Sequence, residues 1–205
     1  MSNQLQTNLK KNRLTVKDLI TMGVFGALML VCSMIGGVIF AVTPTLTFYF
    51  SLGSSLLPGP VFLLLLAKVP KRWALTIIGV TVSLLSLVLG MHWGMCVGGL
   101  ICSVLADLIA GIKNYKSLKI NILAYIVYSF GPMGTYLVYF ADPEGWANTM
   151  LRNGTTQEYI TAMNDAAAWW TLIVMVAGTI LVAWLSGSVG SKLLKKQFEK
   201  AGITA

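Results

Sequence analysis

After Asp18 the chain runs to Val42 without a charged residue, and five more apolar segments follow, at about 46–67, 73–89, 95–112, 120–140 and 169–189. A helix of about 20 apolar residues crosses a hydrocarbon core of about 30 Å. Six such segments nearly fill 205 residues, which leaves no room for a separate soluble domain. The runs are continuously apolar rather than alternating, so they do not read as strands of a membrane barrel. Only 11% of the residues are charged, against about 25% in ordinary soluble domains. This excludes an intrinsically disordered chain. Three scattered cysteines, Cys32, Cys96 and Cys102, are too few for a disulfide-stapled secreted domain. The expected fold class is all-α, a polytopic membrane protein with a six-transmembrane-helix bundle.

The charges predict its orientation. Short loops rich in Lys and Arg stay on the cytoplasmic side. The N-tail carries Lys10, Lys11, Arg13 and Lys17. Lys68, Lys71 and Arg72 follow the second segment, Lys113, Lys116 and Lys119 the fourth, and Lys192, Lys195, Lys196 and Lys200 the sixth. Fourteen of the 15 basic residues then share one side, Arg152 being the exception. Asp142, Glu144, Glu158 and Asp165 fall on the other. The net charge of +8 therefore expresses topology and contact with anionic lipid, not a nucleic-acid footprint. Both termini are expected in the cytoplasm of a multi-pass protein of the bacterial plasma membrane. Residues 1–17 form a retained basic tail, because no A-x-A-like site closes the apolar run behind them. Residues 18–190 form the membrane domain and 191–205 a basic C-tail.

Proline at 44 ends the first helix. The Leu57-Pro58-Gly59-Pro60 break in the second must be satisfied by neighbouring helices. Residues 141–168 read as a long polar connection.

Three features can carry chemistry. Gly23 and Ala27, with Gly26 between them, place small residues four apart on helix one, a pattern that lets helix backbones approach closely. It serves packing inside the bundle equally well. Gly90-Met91-His92-Trp93-Gly94 holds the only histidine in the chain, flanked by glycines and a tryptophan. His92 can hydrogen-bond a ligand and Trp93 can stack on it, although a Trp-His pair also suits the headgroup region. Tyr125, Tyr128, Pro132, Tyr136 and Tyr139 recur at spacings of three and four, so they share one helix face. The connection after them supplies Glu144, Trp146 and Asp165, an acidic and aromatic mouth that reads residue by residue as a solvated loop too. Substrate contacts are accordingly expected from His92, Trp93, Tyr136, Tyr139, Glu144, Trp146 and Asp165.

Asp107 is an acid inside an apolar segment, which makes it a functional candidate. It lies close enough to Lys113 to be hydrated or paired. There is no H-E-x-x-H, no G-x-S-x-G and no Walker glycine loop, so no catalytic residue is expected and no ATP site. One histidine and scattered cysteines do not make a metal site, and no cofactor is expected.

The layout then resembles a known group. Lys17-Asp18-Leu19-Ile20, Ala67-Lys68-Val69-Pro70-Lys71-Arg72, Leu89-Gly90-Met91-His92-Trp93 and Leu105-Ala106-Asp107-Leu108-Ile109 together resemble the Trep–Strep group of S components. These are the substrate-binding membrane subunits of energy-coupling-factor transporters. The resemblance implies that the membrane domain captures a small organic micronutrient, a vitamin or a precursor, from outside. It implies as partners a transmembrane coupling protein and two ATPase subunits that deliver the substrate. Helix one, through Gly23, Gly26 and Ala27, would meet the coupling protein, with Gly23 standing where the group has an alanine. The histidine-bearing external N-terminus of metal-type members is absent. Two other classes fit the residues: a stand-alone ion-coupled carrier with Asp107 as its coupling group, and a membrane scaffold without transport.

Overall fold

A computed structural model describes residues 14–200 and 202. Lys10, Lys11 and Arg13 of the basic tail lie outside them. The described chain is helical throughout, with no strand among the described residues.

Helix α1, Val16–Ala41, starts at a reciprocal cap. The Asp18 N–H donates to Thr15 Oγ1 at 3.3 Å, and the Thr15 N–H donates to Asp18 Oδ2 at 2.7 Å. The same Asp18 oxygen lies 2.6 Å from Lys71 Nζ, which ties the start of α1 to the first basic loop. Few residues of α1 are buried. Ile20, Val24, Val31, Ile35 and Ile39 are exposed, as expected of a helix whose outer face meets lipid.

The second apolar segment is broken. It consists of a 3-10 turn, Pro44–Tyr49, then α2, Phe50–Ser54, then α3, Gly59–Lys68. The backbone groups freed at the break find partners on distant helices. The Tyr125 hydroxyl donates to the Ser55 carbonyl at 2.6 Å, and the Gly59 N–H donates to Ser186 Oγ at 3.2 Å. In hydrocarbon such groups have no water to turn to.

Helix α4, Ala74–Val88, is the short one. Its 15 residues rise about 22 Å, less than a hydrocarbon core of about 30 Å. Helix α5, Trp93–Gly111, packs along it. The fifth segment reads as one helix in sequence but forms two, α6, Leu118–Tyr128, and α7, Met133–Ala141, bent by 41°. Pro132, at the start of α7, has no N–H to continue the ladder. Helix α10, Thr171–Leu193, closes the bundle, and a short α11, Lys195–Lys200, follows. On α10, Thr171, Met175, Thr179, Ala183 and Ser186 make a buried stripe one turn apart.

Among the described residues, four stretches are long and apolar enough to span a membrane: Val16–Ala41, Pro44–Lys68, Trp93–Gly111 and Thr171–Leu193. The bent pair α6–α7 makes a fifth. The six expected segments thus correspond to four full-length stretches, one bent pair and the short α4.

Residues 141–168 differ from expectation. They are not a plain connection but two amphipathic helices, α8, Pro143–Arg152, and α9, Gln157–Ala166. Each begins at a side-chain cap, Asp142 Oδ1 accepting from the Gly145 N–H and Thr156 Oγ1 from the Tyr159 N–H. Trp146 of α8 and Ile160 and Met163 of α9 turn inward. They join Phe48, Phe50, Met133 and Tyr136 in an apolar cluster at the end of the bundle far from the basic loops. A second cluster, around Phe62, Leu66, Leu75 and Tyr125, fills the basic end.

Backbones approach closely where glycines face each other. A Cβ on Gly134 of α7 would stand 2.1 Å from the Gly94 carbonyl oxygen of α5, and one on Gly98 would stand 2.4 Å from that of Gly131. That crossing sets the position of both α5 and α7 at the far end.

Candidate functional site

The turn from α4 to α5 is built around Gly90, at φ 82°. The Met91 N–H donates back to the Ser86 carbonyl, and His92 becomes the N-cap of α5. Its Nδ1 accepts from the Gly94 N–H at 3.0 Å. A neutral imidazole has one acceptor and one donor nitrogen, so the ring proton sits on Nε2. His92 is 2% exposed, and burial holds its pKa below the ordinary value, which favours this neutral form. Its Nε2 is buried and meets no hydrogen-bond partner. Leaving a buried donor unmade costs about 1–3 kcal/mol, so this atom stands out.

His92 lines a cavity of about 380 Å³ under α8 and α9. The imidazole ring stacks 6.0 Å from the Trp146 indole, with interplanar angle 29°. Phe50, Tyr136, Trp146 and Tyr159 supply aromatic walls, and Met34, Met91, Met95 and Met150 supply thioethers. No Asp, Glu, Lys or Arg lines it. Three other side-chain donors are already engaged. The Tyr136 hydroxyl donates to the Thr47 carbonyl, the Tyr159 hydroxyl to the Ala41 carbonyl at 2.6 Å, and the Trp146 indole N–H to Thr135 Oγ1 at 2.9 Å. These bonds fix the aromatic rings in place and couple α8 and α9 to the ends of α1 and α7. Pockets for small ligands have this character, mainly apolar with a few placed polar groups.

A family model described as a hypothetical bacterial integral membrane protein, Trep_Strep, matches residues 16–200. The chain belongs to the Trep_Strep family. It is a multi-pass protein of the bacterial membrane. No curated protein and no solved structure matches it.

Of the site residues expected from this Trep_Strep sequence, His92, Tyr136 and Trp146 line the one cavity. Tyr139 stands behind it, its ring edge-on to Trp146 at 5.3 Å and its hydroxyl donating to Asn164 Oδ1 at 2.8 Å. Trp93 lies 5.2 Å from the His92 ring but outside the cavity wall, and it is half exposed. Glu144 and Asp165 are exposed on α8 and α9 and do not reach the cavity. The methionines, Thr47 and Tyr159 were not expected. No local pattern marks them, because they come from five separate parts of the chain.

Helix one divides its motif. Gly26 is buried, and a Cβ there would touch Ile78 at 3.4 Å, so it serves α1–α4 packing. Gly23 and Ala27 are exposed. They line an apolar groove of about 270 Å³ between α1 and α4, with Leu30, Ile77 and Leu85. Asp107 sits at the opposite end from His92 and is buried. Tyr115 Oη donates to Oδ1 at 2.6 Å, and Thr76 donates to Oδ2 through its N–H at 3.2 Å and its hydroxyl at 3.0 Å. Burial and this carboxylate together push the Tyr115 phenol up. The acid is thus paired within the protein.

Proposed function

We propose that this chain is the substrate-binding S component of an energy-coupling-factor importer. It captures a small organic micronutrient at the far end of the bundle and delivers it with a transmembrane coupling protein and two ATPase subunits. The observation that carries the reading is the cavity at His92. It is roofed by α8 and α9, walled by aromatic and methionine side chains, and includes His92, whose Nε2 is buried without a hydrogen-bond partner. In this reading the basic end faces the cytoplasm, so the cavity opens outward. The exposed Gly23–Ala27 groove on α1 then serves the coupling protein.

The reading is tested by purifying the tagged chain from its own membranes. Two ATPases and a coupling protein should come with it. Ala27→Leu should cut that recovery at least tenfold while the folded chain remains, because the leucine would point out of the bundle into the groove that the partner helix needs. Wild-type recovery from Ala27→Leu would leave the groove as lipid-facing packing.

Orientation has its own test. In a cysteine-free background, a cysteine at exposed Glu158 should react with an impermeant maleimide added to whole cells, and one at exposed Lys113 should not. The reverse labelling would turn the bundle over and with it the capture direction. A second reading, an ion-coupled carrier, draws on Asp107 and on the two broken segments, a pairing known from such carriers. It requires uptake by the chain alone in proteoliposomes without ATPases, abolished in Asp107→Asn.

A further inference from the structure

We propose that the ligand of the His92 cavity is an electrically neutral, flat ring compound that presents a hydrogen-bond acceptor to His92 Nε2–H. This rests on reading the cavity as the substrate site and names the chemistry it selects.

Three observations converge. The first is charge. Among the residues around the cavity there is neither carboxylate nor cation. Glu144, Arg152, Glu158 and Asp165, the charges on the roofing helices that flank it, are all exposed. An ionised group brought into such a site is stripped of water with no counter-charge to meet it, and buried charges persist only when paired. An acid or an amine would therefore be rejected.

The second is the hydrogen-bond inventory. Tyr136, Tyr159 and the Trp146 indole have each spent their donor on the protein. His92 Nδ1 has accepted from Gly94. Nε2–H is left as a buried donor without a partner, near the Thr135, Thr155 and Thr156 hydroxyls that also line the cavity. A site built to bond one acceptor discriminates against analogues that lack it, because its own polar group is then left bare. The matching ligand group is a carbonyl oxygen or a ring nitrogen.

The third is shape and surface. About 380 Å³ suits a molecule of two or three fused rings. Aromatic faces favour stacked or edge-on partners, and thioether sulfurs make favourable contacts at ring edges. Four methionines around one small cavity also let its walls adjust to a rigid guest without opening a polar path.

The test uses the full-length chain in lipid nanodiscs, without ATPases, and four probes on one frame: 2-naphthamide, 2-naphthoate, 2-(aminomethyl)naphthalene and 2-ethylnaphthalene. Equilibrium dialysis reads their affinities. The amide should bind at least tenfold more tightly than the carboxylate or the ammonium compound, and about tenfold more tightly than the hydrocarbon. His92→Asn keeps an N-cap acceptor for α5 but is too short to offer the donor. It should bring the amide down to the level of the hydrocarbon and leave the hydrocarbon unchanged. His92→Phe, which fills the ring's space, should do the same. Equal or tighter binding of naphthoate or the ammonium probe would overturn the proposal. So would an amide-to-hydrocarbon ratio unmoved in both variants, or no saturable binding of any probe. Failure of the importer reading shows elsewhere, as a chain that recovers no coupling protein or ATPase while its preference for the neutral amide persists.

Discussion

Trp146→Ala is expected to destabilise the protein by about 3–5 kcal/mol, the range for deleting a large buried aromatic. It should also free α8 from the bundle. Trp146 is the one buried residue of that ten-residue helix, at 3% exposure. Its indole meets Tyr139 edge-on, stacks on His92 and donates to Thr135. Nothing else on α8 is apolar enough and buried enough to replace it. Truncation therefore removes both the anchor of the helix and one wall of the cavity. Hydrogen exchange over 143–152 should rise to the rate of an isolated peptide, while α10 stays protected. Trp146→Phe should recover most of the packing and lose only the Thr135 bond, at about 1 kcal/mol. Retained protection of α8 in the alanine variant would mean that the helix is held by something other than its tryptophan.

Gly134→Val is expected to cost about 3 kcal/mol or more, and Gly134→Ala a large part of that, since even one added carbon lands 2.1 Å from the Gly94 carbonyl oxygen. Overpacking of a core typically costs about 1–3 kcal/mol, and more where nothing can move aside. Here the obstacle is the backbone of a neighbouring helix, with the Gly98 Cα only 3.0 Å away as well. Helices α5 and α7 would have to part, which would separate His92 from Tyr136 and spoil the cavity along with the fold. Gly23→Ala is the control. A Cβ there meets nothing within 4 Å, so it should be neutral or slightly stabilising, as expected for alanine replacing glycine in a helix. Melting in detergent, read by tryptophan fluorescence, separates the two outcomes. Equal melting temperatures would show that α5 and α7 are not held at this crossing.

The helical class and the rough position of every apolar segment could be read from the sequence, because burial in lipid demands long uninterrupted apolar runs and leaves few alternatives. The Pro58 break was legible for the same reason, since proline removes a donor wherever it stands. The break at Pro132 is hidden in sequence, because the tyrosine spacing runs straight through it and helix periodicity masks a bend. Residues 141–168 read in sequence as a connection because each of their helices has so few inward residues that average polarity dominates. Asp142-Pro143-Glu144 and Thr156-Gln157-Glu158, both start signals, were the clue. His92 stands out in sequence as the lone histidine, yet its value comes from Gly94 occupying one nitrogen and the fold leaving the other bare. Glu144 and Asp165 lie near in sequence to the cavity-lining residues but face outward. That distinction depends on the tilt of two short helices, which no local pattern encodes.

The repair of the break between α2 and α3 bears on how the protein is made. The Ser55 carbonyl waits for a hydroxyl 70 residues later, and the Gly59 N–H for one 127 residues later. During synthesis the second apolar segment leaves the ribosome long before Tyr125 or Ser186 exists. Until α6 and then α10 arrive, its open backbone must stay beside water or the insertion machinery, since each bare group in hydrocarbon costs several kcal/mol. The N-terminal half therefore cannot settle into the bilayer as a finished unit. Its second segment reaches its resting place only when the last helix does, and a chain cut short before Ser186 would carry an open wound in the middle of the membrane.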